Sequence, residues 1–137
     1  LELVITGAFW SDPSTAGKRM FDSYLVSCRA PEGFREVGTV AGVDESTTLK
    51  LAQAILQNGL LTGRPIEHRG HQRTAAGLEL APYLVVTLVY EAVVRDSGGV
   101  LSLRSPRIKV VRAGEVGVHE VATLEMLERL AMRGGLG

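Results

Sequence analysis

Apolar and polar residues alternate along the first third of the chain, which is the pattern of half-buried β-strands. Residues 1–10 are rich in β-branched and aromatic side chains and predict strand one, with Gly7 as a bulge or kink. Residues 20–29 predict strand two. After a turn at residues 31–33, residues 34–40 predict strand three.

The apolar spacing then lengthens to that of a helix. Asp44 or Ser46 can cap its start, because their side-chain oxygens accept hydrogen bonds from the unpaired amides of a first turn. Asn58 and Gly59 end the helix, or Gly63 does so one turn later. The positions that share its apolar face are Leu49, Ala52, Ile55 and Leu56.

The middle of the chain returns to an extended pattern after a polar interval. Residues 64–76 are polar and basic and predict a loop. Residues 83–95 are almost continuous in valine and leucine and predict strand four. A turn follows at residues 96–99, and residues 100–112 predict a fifth strand that is broken by Pro106.

A second helix closes the sequence. Thr123 can cap it, and the apolar side chains on one of its sides are Leu124, Leu127, Leu130 and Ala131. Gly134 and Gly135 end it. The order of elements predicts a mainly β fold, a five-stranded OB-fold barrel of Greek-key type. One helix lies between strands three and four, another lies at the C-terminus, and residues 1–137 form a single domain.

Composition limits the functions that the domain can perform alone. The 15 basic and 15 acidic residues cancel, which argues against strong autonomous binding to nucleic acid but allows a local basic face. The single cysteine, Cys28, excludes an internal disulfide and is interpreted as a small buried side chain. No apolar run approaches the ~20 residues of a membrane span. Because Leu1 begins directly in a strand-like run, we expect an excised domain whose partner lies upstream, or a processed chain.

Two segments resemble one protein family. Residues 102–112 (SLRSPRIKVVR) resemble the last nucleotidyltransferase motif of ATP-dependent DNA ligases, approximately S-L-R-F-P-R followed by apolar and basic residues. Residues 119–128 (HEVATLEMLE) resemble the tail that follows it. Residues 1–10, 21–26 and 35–40 are similar to the first three strands of the barrel in these ligases. The ordered set covers nearly the whole chain and implies the C-terminal OB-fold domain of such an enzyme.

The chain departs from the family pattern in two places. Ser105 stands where the family usually has an aromatic residue. Arg112 is followed by Ala113, Gly114 and Glu115, without the family's lysine that helps in the reaction with ATP. Residues 64–80 carry no clear family signature.

The resemblance implies a division of labour between this domain and an upstream adenylation domain. A lysine of that domain attacks ATP and becomes adenylated, the AMP passes to the 5′-phosphate of a nick, and the 3′-hydroxyl displaces it. The chain holds no K-x-D-G sequence, so we expect it to be inactive alone. ATP and Mg²⁺ would be bound mainly upstream. The expected partners are nicked double-stranded DNA and the adenylation domain, without a membrane, in a monomer that is cytoplasmic in bacteria or nuclear in eukaryotes.

The candidate catalytic residues are Arg104 and Arg107, which flank Pro106. Cations near the leaving pyrophosphate would stabilise its growing negative charge. In a regular strand a spacing of three points two side chains to opposite faces, so a break at Pro106 leaves one arginine for the nucleotide and the other for DNA or the adjoining domain. The candidate DNA-binding residues are Lys18, Arg19, Arg64, Arg69, Arg73, Lys109 and Arg112. A solvated basic surface is the alternative for each.

Other residues favour structural roles. His68 and His71 would need two further ligands for a metal site, so none is predicted. Phe9, Trp10 and Phe21 are interpreted as core residues rather than as base-stacking rings.

Two alternative functions remain open. One is a non-catalytic DNA- or protein-binding module derived from a ligase, which the missing lysine and the neutral charge favour. The other is the barrel of an RNA capping enzyme or an RNA ligase. The sequence leaves the pathway open among replication, repair and end joining.

Overall fold

Nine β-strands and two α-helices form in residues 1–10, 21–41, 43–69, 74–112 and 114–135, the part of the chain that the computed structural model describes. No helix within these ranges is both long and apolar enough to cross a membrane. In chain order the elements are β1 (Glu2–Trp10), β2 (Ser23–Ala30), β3 (Gly33–Ala41), α1 (Glu45–Gln57), β4 (Leu61–Arg69), β5 (Thr74–Leu80), β6 (Val85–Val89), β7 (Ala92–Arg95), β8 (Leu101–Arg104), β9 (Arg107–Val111) and α2 (Leu124–Gly135).

Strand β1 lies at the centre of a seven-stranded antiparallel sheet. On one side it pairs with β2, and the register shifts between Ile5 and Gly7, which confirms the predicted bulge. On the other side its first residues, Glu2 to Val4, pair with β6. From Gly7 to Trp10 that side pairs with β5 instead. The sheet order is β3-β2-β1-β5-β4, and β6 joins β1 to β9.

The last four strands form one long hairpin that is interrupted in the middle. β6 pairs with β9, and β7 pairs with β8. The interruption leaves Tyr90 and Glu91 opposite Ser105 and Pro106. Each of the last two predicted strands is therefore divided into two in the structure, and the predicted break at Pro106 is confirmed.

The mainly β, OB-like architecture is confirmed, with a helix after β3 and a helix at the end. The strand pairs among the described residues do not close the sheet into a barrel, however. β3 and β8 lie close to each other without pairing, since a methyl group added at Gly38 would lie 3.7 Å from Leu103 Cβ.

The prediction of a loop at residues 64–76 was wrong for residues 64–69 and 74–76, the part of this stretch that the structure describes. These residues belong to β4 and β5, which pair with each other, and β5 continues the sheet from β1. Residues 61–65 and 67 are exposed, so the stretch lacks the apolar alternation that predicts a strand. Ile66 is the exception, because it packs over Gly7 and Leu25.

Both helices begin where the sequence predicts, but their packing was predicted with unequal success. The Asp44 carboxylate accepts a hydrogen bond from the Thr47 amide at 2.7 Å and caps α1. The predicted face of α1 was wrong at two positions, since Leu49 and Leu56 are 47% and 62% exposed. The buried residues of α1 are Thr48, Leu51, Ala54 and Ile55.

Helix α2 packs as predicted. The Thr123 hydroxyl accepts a hydrogen bond from the Met126 amide at 3.3 Å. Leu127 is fully buried, while Leu124, Leu130 and Ala131 pack against the core. The chain uses this helix to cover β7, β8 and β2.

We expect Gly77→Ala to destabilise the fold by about 1–3 kcal/mol, the usual cost of overpacking. A methyl group at Gly77 would meet the carbonyl oxygen of Ala8 and the ring of Phe9, and the carbonyl belongs to a paired backbone that cannot move aside. The matched control is Gly38→Ala, whose methyl group has only ordinary contacts and should change stability by less than about 1 kcal/mol. Urea unfolding measures both, and equal effects would contradict the expected close packing.

Candidate functional site

The interrupted hairpin places Arg104 and Arg107 on its outward face. Arg104 lies opposite Ala92 and is exposed, whereas the preceding Leu103 is buried. Arg107 lies opposite Val89 and is also exposed, whereas the following Ile108 packs against the core. The two arginines thus share one face despite their spacing of three, which an uninterrupted strand would not allow.

The geometry of the break holds this arrangement. Ser105 has a backbone φ of 51°, in the left-handed region. The Glu91 amide donates a hydrogen bond of 2.9 Å to the Arg104 carbonyl across the break. Tyr90, on the other side, is partly buried against the core.

Three cations of this face have no charged partner within the part of the chain that the structure describes. Arg104, Arg107 and Lys109 are exposed and form no ion pair or side-chain hydrogen bond there. Lys109 occupies the irregular position of β9, where the register with β6 shifts. Exposed cations of this kind are available to a phosphate group.

Arg112 differs from these three cations because its guanidinium is engaged. Its Nε donates to the Thr87 hydroxyl at 3.2 Å, and its Nη1 lies 3.2 Å from the Glu115 carboxylate. The side chain of Arg112 is therefore tied to β6 and to the turn that follows β9.

Of the other predicted DNA-binding residues, those that the structure describes lie on a different strand from this face. Arg64 lies on β4, 3.7 Å from the carboxylate of Glu79. Along the hydrogen-bonded path of the sheet, β5, β1 and β6 separate β4 from β9. Arg69 ends β4, and Lys18, Arg19 and Arg73 lie outside the described residues.

A groove flanked by two glutamates, which the sequence did not predict, lies among strands β1 to β5. It has a volume of about 350 Å³ and is lined by side chains from all of β1 to β5. The hydroxyls of Thr6 and Ser27 form a hydrogen bond of 2.8 Å within it, and Glu36 and Glu79 flank it. Its carboxylates would repel a phosphate, so the basic face of the hairpin is the better site for nucleotide or DNA.

The buried titratable groups belong to the core. Burial raises the pKa of the Cys28 thiol, so the thiolate that a nucleophile requires is disfavoured. Burial, helped by the Asp22 carboxylate, raises the pKa of Tyr24 to about 12. The rings of Trp10 and Phe21 stack at 4.8 Å beside it. The interpretation of the aromatic residues as core is confirmed, since Phe9, Trp10 and Phe21 are all buried.

A metal site would need several ligands to converge. Over the described ranges, no three side chains of histidine, cysteine, aspartate or glutamate do so. His71 lies outside those ranges.

The chain is similar in sequence and in fold to known DNA ligases. The chain is 28% identical over 135 residues to a DNA ligase of Natronomonas pharaonis, a match that covers 95% of the chain and 22% of that ligase. The chain thus spans about a fifth of the length of its curated relative. No family model matches it.

Solved ligase structures share the fold. The ligase domain of LigD from M. tuberculosis superposes with a TM-score of 0.63 at 22% identity, over 88% of this chain and 37% of that one. Mycobacterial DNA ligase D, complexed with ATP and MES, gives a TM-score of 0.59 at 21% identity, over 89% of this chain and 36% of that one. The sequence match, which covers 95% of the chain, and the shared fold identify the chain as a domain related to the DNA ligases.

Proposed function

We propose that the chain is the C-terminal OB-type domain of an ATP-dependent DNA ligase whose adenylation domain lies upstream. The observation that carries the proposal is a set of three exposed cations on one face of the β6–β9 hairpin, Arg104, Arg107 and Lys109, which have no charged partner among the described residues. They lie within the segment that resembles the last ligase motif. The sequence match to a DNA ligase supports the same assignment.

In this proposal the arginines act when the upstream lysine attacks ATP. The bond between the α-phosphorus and the bridging oxygen breaks, and negative charge builds on the departing pyrophosphate. Arg104 and Arg107 would neutralise that charge, because charge-assisted hydrogen bonds to phosphate are strong and an arginine stays protonated. The DNA ligase D structure with bound ATP gives a precedent for the nucleotide in a related fold.

The chain's residues fit the phosphate end of ATP but supply little else for the nucleotide. A magnesium ion prefers carboxylate ligands, and no three potential metal ligands converge among the described residues. We therefore assign the Mg²⁺ ion, the adenine and the attacking lysine to the upstream domain. The isolated chain would be inactive, and its neutral net charge would make it a weak DNA binder.

The second proposed role is to clamp nicked duplex DNA, as a monomer tethered to the adenylation domain. Lys109 and Arg112 extend the basic face along β9, and phosphate contacts there would be independent of base sequence and sensitive to salt. We also propose a separate set of residues that contact the phosphate backbone of DNA: Arg64 and Arg69 on β4, together with Lys18, Arg19 and Arg73.

We expect Arg104→Ala and Arg107→Ala each to slow self-adenylation by about 10²-fold in the protein that carries the upstream domain, the usual loss for one donor to a developing anion. Arg129→Ala is the matched control, because Arg129 is an exposed arginine on α2 that pairs with Glu125. Transfer of labelled AMP from ATP to the protein measures the rate. Unchanged rates in both hairpin variants would refute the catalytic role.

DNA binding should respond differently to Lys109→Ala. Loss of one phosphate contact would reduce the slope of log affinity against log salt by about one, equally for nicked duplexes of different sequence. Fluorescence anisotropy across a salt series measures the slope, again with Arg129→Ala as control. A slope that matches the unsubstituted protein would remove Lys109 from the DNA contacts.

A non-catalytic binding module is the second candidate function. The motif lysine after Arg112 is missing, and Glu115 of the same turn pairs with Arg112. A titration of the isolated chain against nicked duplex distinguishes the two functions. Tight binding that falls steeply with salt favours the module, and negligible binding favours a domain that works only when tethered.

A further inference from the structure

In a β-strand, side chains point alternately into the core and out to solvent. At the hairpin break this alternation shifts in both strands, at positions that lie opposite each other. Leu103 and Ile108 are five positions apart, yet both face the core. On the opposite strand, Leu88 and Val93 are also five positions apart, and both are buried. Residues separated by an odd number point to opposite faces of a regular strand, so each strand changes phase by one residue across the break.

On the strand that carries β8 and β9, the residue with an unusual backbone conformation at this change is Ser105. Its φ of 51° is the only positive φ at a non-glycine residue within the described ranges. The residue before a proline is normally extended, which makes the left-handed conformation doubly unusual here. The Glu91–Arg104 hydrogen bond and the burial of Leu103 hold the chain in place just before Ser105. The left-handed residue therefore sits where the phase must change.

We propose that Ser105 is a positioning residue: its left-handed conformation resets the strand so that Arg104 and Arg107 share the outward face while Leu103 and Ile108 stay in the core. The role of the arginines in this statement rests on the proposed function, whereas the phase change does not. A residue that cannot adopt the left-handed conformation would extend β8 into β9 without the reset. Arg107 would then turn inward or Ile108 would turn outward.

Cysteine labelling tests the phase change in the chain itself. Arg107→Cys and Ile108→Cys are made separately in three backgrounds: Ser105, Ser105→Gly and Ser105→Val. The native Cys28 is fully buried and gives a low background. Glycine keeps the left-handed region open, and β-branched valine closes it.

We expect the thiol of Arg107→Cys to react about tenfold faster than the thiol of Ile108→Cys with Ser105 and Ser105→Gly, because thiol reactivity follows exposure. With Ser105→Val the ratio of the two labelling rates should fall towards one. A ratio that stays high in a folded Ser105→Val chain would overturn the proposal. If circular dichroism shows that Ser105→Val is unfolded, the β-branched but hydroxyl-bearing Ser105→Thr takes its place, and an undiminished ratio there overturns the proposal equally.

Adenylation kinetics in the protein with its upstream domain test the positioning of the arginines. Ser105→Val should lower kcat by about tenfold with the KM for ATP nearly unchanged, since contacts made only in the transition state are lost. Ser105→Gly and Ser105→Asn, which tolerate the left-handed conformation, should restore the rate.

The two sets of results separate two kinds of failure. If Arg104→Ala and Arg107→Ala leave adenylation unchanged, the proposed function fails, and the labelling ratios still decide the phase change. If those variants are slow but Ser105→Val is as fast as Ser105, the positioning role fails while the proposed function stands.

Discussion

The fold depends on how the two edges of β1 are shared among its neighbours. One edge pairs with β2, while the other pairs first with β6 and then with β5. Every backbone amide and carbonyl buried in a sheet needs a partner, so a strand covered on both faces must find partners along its whole length. The bulge at Gly7 marks the transfer, and the space left by its missing side chain is filled by Ile66.

This sharing of β1 separates two surfaces of opposite character. The β4–β5 hairpin occupies one end of β1 and borders the groove flanked by Glu36 and Glu79. The β6–β9 hairpin occupies the other end and carries the basic face. The zero net charge of the chain therefore hides a local asymmetry, because four other arginines of the described residues stand in ion pairs. Such pairs are Arg35–Glu32, Arg64–Glu79, Arg112–Glu115 and Arg129–Glu125.

The elements that the sequence predicted well are those whose apolar side chains are mostly buried. The first three strands and α2 with its Thr123 cap are of this kind. The β4–β5 hairpin escaped prediction because β4 is held by backbone pairing and exposes most of its described side chains. In α1, Leu49 and Leu56 misled the prediction, since hydrophobic residues on a helix need not be buried.

The candidate site could be predicted in its residues but not in its geometry. The two arginines and Pro106 are visible as a motif, and a break at the proline follows from its missing amide hydrogen. The common orientation of Arg104 and Arg107 depends on the φ of Ser105, and serine does not indicate a left-handed conformation as glycine would. The ligase family usually has an aromatic residue at this position, and the smaller side chain of Ser105 lowers the steric cost of the left-handed conformation.

The chain lacks the motif lysine after Arg112, and the side chain of Arg112 is itself held in place. An arginine held by Thr87 and Glu115 loses part of its freedom to reach a nucleotide, because moving it would break two interactions. Arg104, Arg107 and Lys109 face no such cost, since they are hydrated and unpaired among the described residues. Under the proposed function, the work at the pyrophosphate therefore falls to the cations nearest the hairpin break. Their common orientation then matters more here than in a ligase that keeps the additional lysine.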